Sequence, residues 1–233
     1  MSVCKMYIDG EYLKNNPTWD AEDSPWKAWQ IFRLLAKNRL EPQTVCEVGC
    51  GSGEILRQLQ MLMPSSVMYT GYEISPQAIE LCTLRENQNL RFKLKNFTEE
   101  VNVSCDLLLI IDVIEHLEDY FQFLRDIKGK SRHVIFHIPL EIFVLSILYP
   151  HFLLGQKKKV GHLHFFSKDL ILQHIRDLGY DVVDCRYTAG YSLPRDYGVK
   201  DRLLRFPRKI LFPFAPDMTA RVFGGYGLLV LVK

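Results

Sequence analysis

An acidic residue followed by three alternating glycines constrains this chain more than any other stretch. Residues 45–54 read VCEVGCGSGE, so an apolar, strand-like run contains Glu47 and is followed by Gly49, Gly51 and Gly53. Glycines permit a sharp turn and let a ligand touch the main chain. The helix-forming run 55–63 comes next, and the start of such a helix presents unpaired N–H groups. The pattern predicts a nucleoside-cofactor pocket at the carboxyl end of a first strand.

The spacing of the glycines argues against a dinucleotide. The dinucleotide fingerprint places its third glycine three residues after the second, whereas Gly53 follows Gly51 by two. A pyrophosphate would also be repelled by the carboxylate of Glu47, which would attract an ammonium group. The site is therefore better suited to a cationic nucleoside than to a nicotinamide cofactor, and an oxidoreductase is disfavoured.

A second acid follows at the interval expected of a ribose-binding residue. Residues 67–73 read as a strand that ends in Glu73, and α/β nucleoside sites place a carboxylate about 20 residues after the glycines. Such a carboxylate can accept hydrogen bonds from both ribose hydroxyls. Ser75 and Pro76 then provide an N-cap and a first helical residue.

A polar block follows the most apolar strand of the chain. Residues 107–111 are uninterrupted aliphatic residues, as expected of a central strand buried on both sides. Residues 112–117 then read DVIEHL. The block therefore lies where a fourth strand leaves the sheet, at the edge where the ligand is expected.

These two motifs resemble those of class I S-adenosylmethionine-dependent methyltransferases. The E-x-G-x-G-x-G pattern is similar to their motif I, and DVIEHL is similar to a block found in small-molecule enzymes such as the ubiquinone-biosynthesis O-methyltransferases. The resemblance covers about residues 44–187, with 226 onward as the last strand. It implies S-adenosyl-L-methionine as the cofactor, with Asn96 bonding to the adenine and Phe97 stacking on it. The residues expected to bind the cofactor are Glu47, Gly49, Cys50, Gly51, Gly53, Glu73, Ile74, Asn96, Phe97, Asp112, Val113 and Ile114.

Alternation of strand-like and helix-like segments predicts an α/β protein with a mostly parallel sheet covered on both faces. The resemblance adds that the fold is the Rossmann-like class I methyltransferase fold, with seven strands of which the last is antiparallel. Helices are predicted at 24–37, 54–63, 76–88, 119–128 and 168–178. Strands are predicted at 44–48, 67–73, 90–95, 105–112, 133–138, 181–187 and 226–232.

Two segments outside this common core are expected to select the methyl acceptor. Residues 1–43 form an N-terminal extension rich in aromatic residues, and 44–233 form the cofactor-binding domain, in which 188–225 is an irregular acceptor-side insertion. That insertion carries seven basic and three acidic residues. It therefore indicates either a lid for an acidic or phosphorylated acceptor or a solvated surface.

Histidines are the candidate catalytic groups, because methyl transfer to a hydroxyl benefits from a base with a pKa near neutral. His116 is the first candidate and His137 the second, while His133 and His174 are read as structural. His162 and His164 alternate on an extended segment. Because no carboxylate partner for them is obvious in the sequence, no metal site is predicted.

Composition narrows the classes of partner and the cellular location that remain open. There are 29 basic and 27 acidic residues, a balance of +2 that calls for neither a nucleic acid nor an anionic membrane as partner. Six scattered cysteines without a C-x-x-C pair indicate reduced thiols and a cytoplasmic protein. No signal peptide or apolar run long enough to span a bilayer is expected.

The sequence thus favours an enzyme that methylates a small molecule, on oxygen for preference. Two alternatives stay open: a non-catalytic partner subunit that binds the nucleoside, and an RNA methyltransferase. The acceptor and the oligomeric state are left undetermined.

Overall fold

The fold is built around one seven-stranded sheet, seen in a computed structural model that describes residues 7, 9–101, 103–149, 151–193 and 199–233. Parts of the predicted extension and insertion, including Arg195 and Asp196, lie outside the described residues. The strands are β1 (Thr44–Val48), β2 (Met68–Glu73), β3 (Leu90–Leu94), β4 (Cys105–Ile111), β5 (Ser131–Leu140), β6 (Val182–Ala189) and β7 (Tyr226–Val232).

Strand order confirms the predicted fold class. The order is β3-β2-β1-β4-β5-β7-β6. β7 runs antiparallel to both of its neighbours, and the other six strands are parallel to one another. The order reverses direction between β1 and β4, so the carboxyl ends of these two strands flank the crevice in which doubly wound sheets bind ligands.

Five of the helices were predicted from the sequence, and their positions agree with the structure to within about five residues. The helices lie on both faces of the sheet. They are α1 (Glu11–Asn15), α2 (Ser24–Lys37), α3 (Glu54–Leu62), α4 (Pro76–Thr83), α5 (Tyr120–Ile127), α6 (Val144–Leu148), α7 (His151–Val160), α8 (Lys168–Asp177), α9 (Val199–Leu211) and α10 (Pro216–Phe223). The largest difference is in α4, which was predicted to run to residue 88. It stops at Thr83 because the chain turns there to bring Asn87 against Leu90.

Two apolar layers form the core. Helices α2 and α3 pack on one face through Ile31, Leu34 and Leu56, which are almost completely buried. Helices α5 and α8 cover the other face. Helix α2 is thus part of the main core although it belongs to the predicted N-terminal extension, because its apolar residues recur at helical spacing along one side.

The sequence analysis expected the segment 188–225 to be irregular. Where the structure describes it, the segment is largely helical. Helices α9 and α10 account for most of it. Pro216 occupies the first turn of α10, where a missing N–H costs nothing. Pro207 lies inside α9. Within the described residues, no helix is both long enough and apolar enough to cross a membrane.

Candidate active site

A cavity of about 780 Å³ lies at the carboxyl edge of the sheet, above β1 and β4. The loop after β1 and the ends of β2 and β4 form one side of it. Tyr7, Tyr12 and Trp19 from the N-terminal segment cover another side, and residues 188–193 and 225–227 complete the wall. The motifs found in the sequence therefore meet at one place.

The glycine bend follows β1 directly, and its three glycines serve different purposes. All three have positive φ, at 67° for Gly49, 55° for Gly51 and 74° for Gly53. A Cβ at Gly49 would come within 2.9 Å of Val113 Cγ2, so this glycine allows the β4 loop to approach. Gly51 faces the cavity, where, among the described residues, a Cβ would meet only Trp19, at 3.5 Å. A Cβ at Gly53 would collide with the ring of Phe92, so this glycine is required for packing.

Glu73 joins the end of β2 to the bend. Its Oε2 accepts a hydrogen bond from the N–H of Gly51 at 2.9 Å, and its Oε1 accepts from Ile74 at 2.8 Å and Ser75 at 3.0 Å. A carboxylate has about four acceptor positions, so room remains for a ligand hydroxyl. Burial raises the pKa of Glu73, and the three N–H donors oppose that rise.

Glu47 is a buried carboxyl group that faces the same cavity. Its side chain is 1% exposed, and Oε2 has no hydrogen-bond partner among the described residues. Burial raises the pKa of Glu47 well above its ordinary value, and Lys27 acts in the opposite direction. A buried carboxyl oxygen without a hydrogen-bond partner is costly, and a cationic group of a ligand would compensate this cost.

Asp112 is the centre of a charged network at the end of β4. It adopts a left-handed backbone conformation with φ of 54°, which is uncommon for a residue other than glycine and often marks a functional site. Lys27 Nζ lies 2.7 Å from Oδ2, and His137 Nδ1 lies 2.6 Å from Oδ1. His137 Nε2 is 2.8 Å from Thr188 Oγ1. Burial alone would raise the pKa of Asp112, but His137 and Lys27 hold it below its ordinary value.

A second cluster lies beside this network and consists of Glu115, His116 and His162. One potential metal-ligand atom from each of the three lies within 4.8 Å of the others. Neither carboxylate oxygen of Glu115 nor Nδ1 of His116 has a hydrogen-bond partner among the described residues. Burial and the neighbouring His162 lower the pKa of His116 to about 4, so its ring is neutral near pH 7. Burial, together with the charge of Asp112, raises the pKa of Glu115 well above its ordinary value.

Main-chain hydrogen bonds bring His162 to this cluster. The N–H groups of Leu163 and His164 both donate to the carbonyl of Glu115, at 2.8 and 3.1 Å. The rings of His116 and His162 meet edge to face with centroids 4.8 Å apart. His164, the other member of the predicted pair, instead lies against the ring of Tyr120. The two histidines therefore do not act on one ligand.

Most of the predicted site residues line the cavity, and four do not. Those on the cavity are Glu47, Gly49, Cys50, Gly51, Glu73, Ile74, Asp112, Val113, His116 and His137. Gly53 packs against Phe92, and Ile114 is buried in the core. Asn96 Oδ1 instead accepts from the N–H of Thr98. Phe97 is 1% exposed and packs against Tyr72, so the expected stacking on adenine does not fit this structure.

Several residues on the cavity were missed by sequence reasoning. Glu115 stands inside the DVIEHL block, but its burial could not be read from the pattern. Lys27 and Thr188 are far from Asp112 and His137 in sequence, and Glu141 is far from His162. Only the folded chain brings these partners together.

Comparison with known proteins agrees with this geometry. A family model described as a methyltransferase domain matches residues 26–184. The chain belongs to this methyltransferase family. Its cofactor is S-adenosylmethionine, and six parallel strands with one antiparallel strand are the arrangement of its structural neighbours.

Three solved structures show the extent of the likeness. A Haloferax volcanii protein solved in complex with the Trm112 methyltransferase activator is 17% identical, with a TM-score of 0.67 over 98% of this chain and 96% of that chain. A methyltransferase from Thermotoga maritima is 16% identical, with a TM-score of 0.60 over 99% and 97%. Magnesium protoporphyrin IX methyltransferase from Synechocystis PCC 6803, solved with S-adenosylhomocysteine, is 12% identical, with a TM-score of 0.59 over 89% and 82%. A search of the curated proteins gave no match.

The residues present fit this cofactor. Glu47 supplies a buried carboxyl oxygen, Oε2, that has no hydrogen-bond partner among the described residues and could bind a cation, and Gly51 leaves the main chain open to a ligand. When bound, S-adenosylmethionine supplies an activated methyl group on a sulfonium. The carboxyl groups around the cavity suit its positive charges.

Proposed function

We propose that this methyltransferase methylates a hydroxyl group of a small molecule. The observation that carries the proposal is that one cavity joins the glycine bend, with Glu47 and Glu73, to the cluster of Glu115, His116 and His162. One half suits a cationic nucleoside. The other half offers groups that can act on an acceptor proton.

In the cofactor half, we assign Glu47 to the ammonium group and Glu73 to the ribose hydroxyls. The support for Glu73 is its unused acceptor capacity beside the N–H of Gly51. Gly49, Gly51 and Val113 shape the wall, and Cys50, Ile74 and Asp112 complete it.

In the acceptor half, we propose His116 as the catalytic residue. Its ring is neutral near pH 7, and the lone pair of Nδ1 is free to take up a proton or to bind a cation. His137 has both ring nitrogens engaged, with Asp112 and Thr188, so we assign it a positioning role. A base correctly placed for the acceptor hydroxyl contributes about 10²–10⁴ in rate.

The cavity favours a neutral acceptor with an apolar or aromatic part. Carboxyl groups outnumber basic groups around it, and of the described basic residues in 188–225 only Arg208 reaches it. Tyr12 and Trp19 form an aromatic wall with ring centroids 4.7 Å apart, and Tyr7 extends that wall to His116 at 5.7 Å. An acidic or phosphorylated acceptor, which the charge of the insertion suggested, is therefore the less favoured choice.

On this basis we assign acceptor selection to the aromatic N-terminal segment and to the insertion at 188–225. Action on a free small molecule in the cytoplasm, without a nucleic acid, is part of the same proposal. It rests on the near-neutral charge of the chain.

The test is turnover with labelled S-adenosylmethionine against a panel of neutral phenols, sugar hydroxyls, amines, phosphorylated metabolites and RNA. The proposal expects transfer to oxygen of a neutral hydroxyl compound, identified by mass spectrometry. Transfer to amines or RNA would contradict it. Tight cofactor binding without turnover on any acceptor would favour a non-catalytic partner subunit.

A further inference from the structure

We propose that Glu115, His116 and His162 form a binding site for one divalent transition-metal ion, which holds the acceptor hydroxyl beside the cofactor cavity. The inference deepens the proposed function, because it concerns the acceptor half of the same cavity. It goes against the sequence reading, which predicted no metal site.

The donor set is suitable for such an ion. Two imidazoles and one carboxylate are common ligands of zinc and other first-row divalent ions, and three protein ligands leave positions open for a substrate. The potential ligand atoms lie within 4.8 Å of one another. Metal–ligand bonds of about 2.0–2.2 Å require donor separations of roughly 3–4 Å, which small side-chain rotations would supply.

The free atoms of the cluster point to a missing partner. Glu115 is 1% exposed, yet neither of its oxygens meets a hydrogen-bond donor in the described part of the chain. Nδ1 of His116 is buried and likewise without a partner there. Buried polar atoms are nearly always satisfied in folded proteins. Three unsatisfied atoms within one small cluster therefore indicate a ligand that binds all of them.

The surroundings of His162 are those of a metal ligand. Its Nδ1 lies 2.7 Å from Oε2 of Glu141, and Oε1 of Glu141 accepts a hydrogen bond from Gln156 at 2.7 Å. A carboxylate on one ring nitrogen of a histidine fixes the orientation of the ring and increases the basicity of the other nitrogen. Nε2 of His162 is therefore the atom available to the cluster.

Local charge also favours a cation, because the carboxyl groups of Asp112 and Glu141 line the same cavity as that of Glu115. An ion bound by Glu115 would offset this concentration of carboxyl groups.

The position of the cluster defines its role. Glu115 and His116 directly follow the end of β4, where Asp112 and Val113 line the cofactor half of the cavity. An ion at this point would bind the acceptor through its hydroxyl oxygen and make that hydroxyl more acidic. Because Nδ1 of His116 would then bind the ion, His116 would act on the acceptor through the ion and not as a free base. The acceptor class is therefore an oxygen compound, in agreement with the proposed O-methylation.

The experiment measures binding of Co²⁺ to the full chain, without an affinity tag and after treatment with a chelator. Visible absorption follows the occupied site, and the absence of thiolate charge-transfer bands excludes the cysteines. Titration calorimetry gives stoichiometry and affinity. We expect one ion per chain in the wild type.

Variants separate this site from others. Glu115→Gln and His162→Ala should each weaken Co²⁺ binding at least about 100-fold, and Glu141→Gln about 10–100-fold. His164→Ala is the matched control, since His164 lies two residues from His162 but contacts Tyr120, and it should bind Co²⁺ like the wild type. Titration with S-adenosylhomocysteine checks that each variant is folded and retains the cofactor half.

Failure of this inference can be told apart from failure of the proposed function. If the wild type binds S-adenosylhomocysteine but no Co²⁺, or if His162→Ala binds Co²⁺ as tightly as the wild type, the metal site is refuted and the methyltransferase assignment is unaffected. If Co²⁺ binds at these residues but amines rather than hydroxyl compounds are methylated, the metal site stands and the acceptor class is wrong.

Discussion

Replacing the glycines of the bend one at a time should separate stability from cofactor binding. Gly51 and Gly53 both have positive φ, and so does Gly129, which lies far from the site. Alanine at each position incurs the cost of a left-handed conformation, about 1–2 kcal/mol. Gly129→Ala should lose only this amount, because a Cβ there meets no atom within 4 Å in the part of the chain that the structure describes.

Gly53→Ala should lose more. Its Cβ would collide with the ring of Phe92, and overpacking of a core typically adds about 1–3 kcal/mol. We therefore expect a loss of roughly 2–5 kcal/mol in the free energy of unfolding. At the same time, the folded fraction should bind S-adenosylhomocysteine normally, because Gly53 does not line the cavity.

Gly51→Ala should show the opposite behaviour. Its Cβ would meet Trp19 at an ordinary 3.5 Å, so its stability should match that of Gly129→Ala. Affinity for S-adenosylhomocysteine should fall at least about tenfold, or 1.4 kcal/mol, because the methyl group occupies the open face of the bend. Urea denaturation and titration calorimetry measure the two effects. Equal stability of the Gly53 and Gly129 variants, or unchanged affinity in Gly51→Ala, would refute this reasoning.

Three further results are expected. His116→Ala should keep cofactor affinity within about twofold but slow transfer about 10²–10⁴-fold, measured by single-turnover kinetics; unchanged turnover would exclude His116 from catalysis. Cofactor affinity should rise as the pH increases through the raised pKa of Glu47, because a cationic ligand favours the ionised form of this residue. Affinities of Glu47→Gln measured by calorimetry should not depend on pH in this way. An equal change of affinity with pH in both proteins would show that Glu47 is not the titrating group. Burial alone would raise the pKa of Glu54, but hydrogen bonds from Arg57, Gln58 and Arg85 lower it from 4.5 to about 2. The ionised Glu54 therefore stabilises the fold fully above pH 4.5, and this stabilisation is lost as the pH falls towards 2. Acid denaturation of Glu54→Gln should be less steep over this range than that of the wild type.

The sheet could be predicted well because its signals are local. Each strand is a short apolar run, and the bend at Gly49, Gly51 and Gly53 stands where a strand gives way to a helix. The antiparallel last strand and the cofactor came from the family resemblance, and both are confirmed. Cavity-lining positions such as Glu47 and Glu73 were identified from their spacing to the glycines.

What the sequence could not provide depends on contacts between distant segments. The network of Asp112 joins Lys27 of α2 to Thr188 at the end of β6, and no local pattern links them. His162 reaches Glu115 only because the main chain of 163–164 pairs with the carbonyl of Glu115. Phe97 is buried against Tyr72 in this structure, and the sequence could not indicate this because a buried aromatic residue and a ligand-stacking one look alike in sequence.

The structure of the protein with bound S-adenosylhomocysteine tests the central claim most directly. The account predicts the ribose hydroxyls on Glu73, the amino group of the methionine end near Glu47, and the sulfur facing the cluster of Glu115, His116 and His162. A ligand bound elsewhere, or a ribose that makes no contact with Glu73 while the bend remains empty, would contradict it.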